Sequence, residues 1–559
     1  MLTPQYLDRL PRKLVGLYSD LEDAIISDIA RRIVKADYLT PTAKWQIYKA
    51  KQLRLSNGEI AKLIQQKTGK SRQEIAKLMR TACFDALDPE TQLYKRAGKK
   101  TEQFFRSEQF DKLVKAGIKN TNGLLKNFTR TTAKSADRAL ERLLDRAYMQ
   151  MLSGAWSPQE VIAKAVRELA DKGIQKIAYS SGHVDQADVA VRRALMTSVN
   201  QTSMQLSWAY ADEMDCDLVE VTAHGGARPE HAKWQGRIFS RSGKHPVYPD
   251  FRKSTGYGTG EGLGGWNCRH SFHAYIEGFP RAYSDEHLKK LDDKTVSYNG
   301  KQYTEYEASQ KQRKFERDIR GTKRQLAAYD SAIKAAADDA LTADLQDAFT
   351  RQSVKLKSQE AKMRDFLRQT NRLEDSARTQ AVGFSKSVSQ KAVNSANKHY
   401  KDWLHSMGAD DAAPQSLAKY YKEKYNHTWE YELLMGYQKA VKKGDISPLV
   451  GFKQYISTSK EINNKLVGLT TSTGVKIEAY ATHFIDRVIG QVAESHPNKR
   501  AGTPVNRVVD ALTNPISISE PKKVRMPDGR IDIRQRFIGK DCSVVISLTD
   551  HLIIQANPM

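Results

Sequence analysis

At 559 residues the chain is too long for one hydrophobic core, and three or four domains are expected. It has no run of about 18 apolar residues, so no membrane span is expected. A net charge of +25 with a pI near 9.6 favours a polyanionic partner, nucleic acid before a membrane surface; the plainer reading is a basic solvated face with no dedicated partner.

The first twenty residues, MLTPQYLDRLPRKLVGLYSD, are charged throughout and lack the apolar core of a signal peptide, which points to synthesis in a cytoplasm. Cys83, Cys216, Cys268 and Cys542 are widely spread, which argues against a disulfide framework. Residues 1–215 carry helical patterning. Ser56 with Glu59, and Ser71 with Glu74, form two capping-box signals. Each opens an apolar repeat, Ile60/Leu63/Ile64 and Ile75/Leu78/Met79, so two short helices joined by a Lys-Thr-Gly-Lys turn are expected. Such a pair suits a plain helical hairpin better than a DNA-binding helix-turn-helix, because nothing marks a recognition face. Ser157-Pro158-Gln159-Glu160 predicts a further helix start, with a stop at Gly173, and a long helix is expected from about Val184 to Glu213.

Residues 216–280 form a non-helical island rich in Gly, Pro and Trp: VTAHGGARPEHAKWQGRIFS, KHPVYPDF and GYGTGEGLGGWNCRHSFHAYIEG. Cys268 and His270, two apart, would share one face of a strand, and with His224 or His231 they could complete a structural zinc site. The spacing matches no established zinc finger. A Cys-His nucleophile pair and simple packing of a turn-rich loop are the competing readings. The glycines from Gly256 to Gly265 lack a following Lys-Ser/Thr and so do not make an ATP phosphate loop; a turn that tucks Trp266 into the fold is expected.

The run from Val189 to Tyr275, including RRALMTSVNQT, resembles the phage minor capsid protein 2 family and is distantly similar to Mu-type head morphogenesis proteins. His231, Trp234, Gln235, Cys268 and His270 fall on the family's motif, and His273 falls outside it. The resemblance implies a virion protein made in a bacterial host. It would be present in few copies near the portal, help assembly or DNA packaging and ejection, and have portal protein, major capsid protein and non-specifically bound packaged DNA as partners.

Residues 281–400 turn charged and Ala-rich. Phe315, Ile319, Thr322, Leu326, Tyr329 and Ile333 alternate steps of four and three, and a second stripe runs through Leu341, Leu345 and Phe349, so a helical hairpin or coiled coil is expected. A helical linker over 401–456 follows. Residues 457–559 have an α+β pattern: one or two helices within GVKIEAYATHFIDRVIGQ and TPVNRVVDALTNP, then an antiparallel sheet from RIDIRQRFIGK, CSVVISL and LIIQA, with Asp528-Gly529 as a hairpin signal. His483 and Arg487 share a helical face, and Arg534 and Arg536 share a strand face.

This last segment resembles the polymorphic toxin type 50 domain, a ribonuclease-like module of the barnase-EndoU-colicin D-RelE group. The likeness is carried by His-x-x-x-Arg, Asn514-Pro515, QRFIG and LIIQANP. It implies metal-independent RNA transesterification without a cofactor. His483 would be acid/base, Arg487 and Arg536 would bind phosphate, and Thr549 and His551 are weaker candidates for the second proton transfer. RNA would be the substrate and an immunity protein a further partner. The whole is therefore expected to be a multidomain, mainly α protein carrying a small Cys/His island and a C-terminal α+β domain. The alternatives are a head protein with an inactive toxin-like module, and a sequence-independent DNA-binding protein.

Overall fold

The computed structural model describes residues 2–559 apart from 36–41, 154, 156, 173–176, 179–183, 186, 292, 382, 411, 445, 447–449, 482, 492–499 and 527–528. Two compact units emerge, Met1–Val393 and Asn394–Met559. In the first, α1 (Arg12–Val34) precedes one continuous helix of 55 residues, α2 (Thr42–Arg96). Both capping-box pairs lie inside α2 and the Lys67–Lys70 turn is helical, so the two short helices, and with them the helix-turn-helix, are absent. Capping is a local preference of about 1 kcal/mol. Here it loses to packing, since Ser56 and Ser71 are buried in line with Ile60, Ile75, Met79, Leu87 and Tyr94.

α3 (Glu108–Leu152) lies along α2, its N-terminus capped by Ser107 Oγ accepting the Phe110 N–H at 3.1 Å. α4 (Pro158–Lys172) starts at the predicted cap: Glu160 N–H donates to Ser157 Oγ at 3.2 Å and Ser157 N–H to the Glu160 carboxylate at 2.9 Å. Gly173, its expected stop, lies outside the described residues. α5 (Ala187–Glu213) begins later than Val184, because Val184–Asp185 pair instead with Ile177–Ala178.

β1 (Leu218–Val221), β2 (Ile238–Ser240) and β3 (Phe272–Ala274) make a three-stranded antiparallel sheet in the order β2-β1-β3. Trp208 from α5 meets Phe251, Tyr257 and Phe272 over its core. Then α6 (Glu305–Ala335) and α7 (Asp339–Thr370), separated by three residues, form a helical hairpin. Phe315, Ile319, Leu326 and Tyr329 are buried against Leu341, Leu345 and Phe349, and this stripe joins α1, α3 and α4 in one extended core. A buried ion cluster ties α6 to α1, with Arg324 at 3.1 Å from Glu22 and 3.0 Å from Asp23.

The second unit holds α8 (Leu417–Asn426), α9 (Trp429–Lys443) and α10 (Phe452–Lys465), followed by a sheet. Its strands are β4 (Ala479–Tyr480), β5 (Ser517–Ile518), β6 (Lys522–Arg525), β7 (Ile531–Ile538), β8 (Cys542–Ser547) and β9 (Leu552–Pro558). The order is β5-β7-β8-β9-β4, with β6 also on β7; β4 runs parallel to β9 and the other pairs are antiparallel. Two short helices, α11 (Phe484–Ile489) and α12 (Val505–Thr513), pack on β9 and β8. The expected boundary at 457 falls inside α10, whose Tyr455, Ser459 and Ile462 are buried and which contacts both short helices. The segment 474–491 is less helical than expected, because Ala479–Tyr480 add an edge strand beside β9. Gly529, at φ +88°, donates its N–H to Met526 O at 2.9 Å in the β6–β7 turn; its predicted partner Asp528 is outside the described residues. Among the described residues, no helix is long and apolar enough to cross a membrane.

Candidate metal centre

Three side chains of the island converge on one point. His231 comes from a short helical turn (Pro229–Ala232), and Cys268 and His270 come from the irregular run that enters β3. The run is not itself a strand, contrary to expectation, yet both side chains still turn inward because α5 grips their backbone. Asn200 Nδ2 donates to His270 O at 2.9 Å and to Cys268 O at 3.4 Å. Cys268 Sγ lies 3.7 Å from Nδ1 of His231 and 3.7 Å from Nδ1 of His270, and all three residues are buried. A tetrahedral ion with sulfur at about 2.3 Å and nitrogens at about 2.0–2.1 Å would set these separations near 3.6 Å.

The outer nitrogens are already engaged. Nε2 of His270 lies 3.1 Å from Gln235 Oε1, and Nε2 of His231 lies 2.9 Å from Glu261 O and 3.0 Å from the Arg228 guanidinium, so both Nδ1 atoms are left facing the sulfur. Burial pushes the His231 pKa down and the His270 pKa well down, His270 being lowered further by neighbouring His224, His231 and Arg228. Both imidazoles are thereby pushed toward the neutral form that a ligand needs. Burial also pushes the Cys268 thiol up, which disfavours a free thiolate nucleophile there. His224, the fourth expected ligand, is not part of the converging set: its ring stacks on His270 at 4.2 Å and its backbone N–H donates to Gln235 at 3.2 Å. His273 faces the other way, 3.4 Å from Glu220.

Two glycines explain the loop that carries this cluster. A Cβ on Gly262 would lie 2.0 Å from Gly256 O, and one on Gly265 would lie 2.2 Å from Gly260 O, so the loop folds back on its own backbone. Trp266 is not tucked in as expected. It covers Gly260 with one face and is 58% exposed, because the tight backbone beneath leaves no room for an indole.

Comparison with known proteins fits this island and the helices around it. The model of the family described as phage minor capsid protein 2 matches residues 2–368, about two thirds of the chain. The chain belongs to that family. This phage minor capsid protein is also similar to a "Structural protein" of Lactococcus phage LL-H, 23% identical over 192 residues, covering 33% of this chain and 48% of the relative. The chain thus spans about half the length of that curated relative. No solved structure matches.

The matched span of the minor capsid protein ends before the second unit, where the remaining candidates lie. His483 is the exposed N-cap of α11 and Arg487 stands within that helix. Arg536 is exposed on β7. Thr549 and His551 occupy the β8–β9 turn, where Thr549 Oγ1 accepts the Ile533 N–H at 3.0 Å and His551 lies 3.7 Å from Glu478. Arg534 is committed to Asp532 at 2.7 Å. One sheet face is covered, with Phe537, Val544, Ile546, Ile553 and Ala556 fully buried. By register the opposite face carries Arg534, Arg536, Val545 and Gln555 in adjacent rows. β7 and β4 are three strand spacings apart, roughly 14 Å. Pattern reading missed the arginines of α6 that line a cavity beside the Cys/His cluster, although their spacing of four, three and four was legible.

Proposed function

We propose that the chain is a low-copy component of the phage head that stands beside the portal and contacts portal protein, major capsid protein and packaged DNA. The observation that carries this reading is a family match running through the whole helical scaffold, the island and the α6–α7 hairpin. In it the island is a zinc-bound staple: His231, Cys268 and His270 hold the ion, which supplies rigidity to a loop too glycine-rich to order itself. The test is assembly. Co-expressed with its phage's portal and major capsid proteins, the chain should sediment with heads that contain portal and be missing from heads assembled without it. Equal incorporation in both would overturn the placement.

The second unit supports a further reading, a ribonuclease module. Arg536 on β7, with His483 and Arg487 at α11, supplies the cations and the imidazole that cleavage of RNA needs. Arg536 and Arg487 would hold phosphate, His483 would move a proton at the 2′-hydroxyl or 5′-oxygen, and His551 or Thr549 would serve the opposite transfer. Incubating the full chain with RNA in EDTA, beside His483→Ala, decides it. Cleavage that survives chelation and disappears in the variant supports the module, and a folded chain that leaves RNA intact overturns it.

A further inference from the structure

One cavity of about 670 Å³ in the first unit is lined, among the described residues, by nine arginines and no lysine. Four come from α6: Arg313, Arg317, Arg320 and Arg324, at steps of four, three and four, form one stripe along the helix face opposite its apolar seam. Like charges at such spacing destabilise an isolated helix by about 0.2–0.5 kcal/mol a pair. The other five come from separate parts of the fold, so that α1, α5, the island and the segment after α7 all turn guanidinium groups to the same space.

Among the described lining residues Glu316 is the one acid. Behind the wall, Glu22 and Asp23 hold Arg324, while Asp375 holds Arg12 at 3.1 Å and Arg378 at 3.0 Å. Among the described residues the lining thus carries nine guanidinium groups and one carboxylate around a single space. Arg320 and Arg324 are 8% and 7% exposed, where water screens charge poorly. Exclusive use of arginine selects the anion's shape as well as its sign, because the planar guanidinium fork matches the paired oxygens of phosphate.

We infer that this cavity is a binding site for a compact polyphosphate anion, either a free nucleotide-like polyphosphate or the 5′-phosphorylated end of a nucleic acid. Tyr306 in the same wall offers an aromatic surface for an attached base. The Cys/His cluster lies in the wall as well, so bound phosphate and the island would share one space; the site does not depend on the island holding metal.

The test uses the full chain in calorimetric titrations with inorganic tripolyphosphate at about 50 mM salt. Saturable binding near one per chain is expected, with an affinity loss of about tenfold or more in Arg313→Ala/Arg317→Ala at unchanged melting temperature. Arg317 is exposed, so if the double variant melts early, Arg317→Gln alone carries the test with a loss of about threefold. Lys115→Ala/Lys119→Ala, on an exposed stretch of α3 away from the cavity, should bind as the parent does. Competition by a short oligonucleotide only when it bears a 5′-phosphate assigns the nucleic-acid source, and tripolyphosphate binding without such competition assigns the free one. No saturable binding, or an equal loss in the lysine variant, overturns the site.

Discussion

Cys268 faces two imidazoles whose far nitrogens are tied down, an arrangement that costs order in a loop unless something occupies the centre. The purified chain is expected to carry about one zinc. Elemental analysis should find it reduced to background in Cys268→Ala, and chelation should lower the melting temperature of the parent but not of the variant. Glu90 makes a different residue-scale point. Burial pushes its carboxyl up, partly countered by Ser207 Oγ–H donated at 2.6 Å. A raised folded pKa gives stability that is complete below the unfolded value near 4.3 and lost as pH rises through the folded one. Glu90→Gln should therefore raise the melting temperature at pH 8 and flatten its fall between pH 5 and 8; a lower melting temperature at pH 8 would contradict this.

At the scale of elements, the sequence pattern was most reliable where burial and local preference agreed. The Ser157/Glu160 cap, the α6 and α7 stripes, and the strands β7, β8 and β9 all combine a period with a terminating signal. It failed in α2, where two good caps were overruled by a face that stays apolar across both. It also missed β4, because a two-residue edge strand has no period of its own. Gly58 separates the α2 readings experimentally. A Cβ there meets nothing within 4 Å, so Gly58→Ala should stabilise a continuous helix by about 0.5–1 kcal/mol, measurable by denaturant unfolding. In the α6–α1 ion cluster, Arg324→Met should cost about 3–5 kcal/mol, because it removes the guanidinium that faces two buried carboxylates, Glu22 and Asp23. The convergence of His231 with Cys268 and His270 was only half legible: the Cys-x-His spacing was visible, but the role of Asn200, far away in sequence, was not.

At the scale of the molecule, the division at Val393/Asn394 places α8 to α10 with the sheet. A fragment from Asn394, which trims the helix Lys386–Ser406 but keeps α8 to α10 whole, should unfold cooperatively by circular dichroism, whereas one from residue 457 removes buried Phe452 and Tyr455 of α10 and should not. Equal cooperativity in both would argue that α10 is dispensable.

The 55 residues of α2, with Pro89 near its C-terminal end, correspond to about 80 Å of helix at 1.5 Å per residue. Such a rod works as a ruler. One inserted residue rotates everything beyond it by about 100° and swings a buried face to solvent, while seven restore the facing to within about 20°. Its length can therefore drift among related chains only in increments of about seven or eleven residues, and a single-residue insertion near its middle should disable the whole unit where the same insertion in a loop would pass unnoticed.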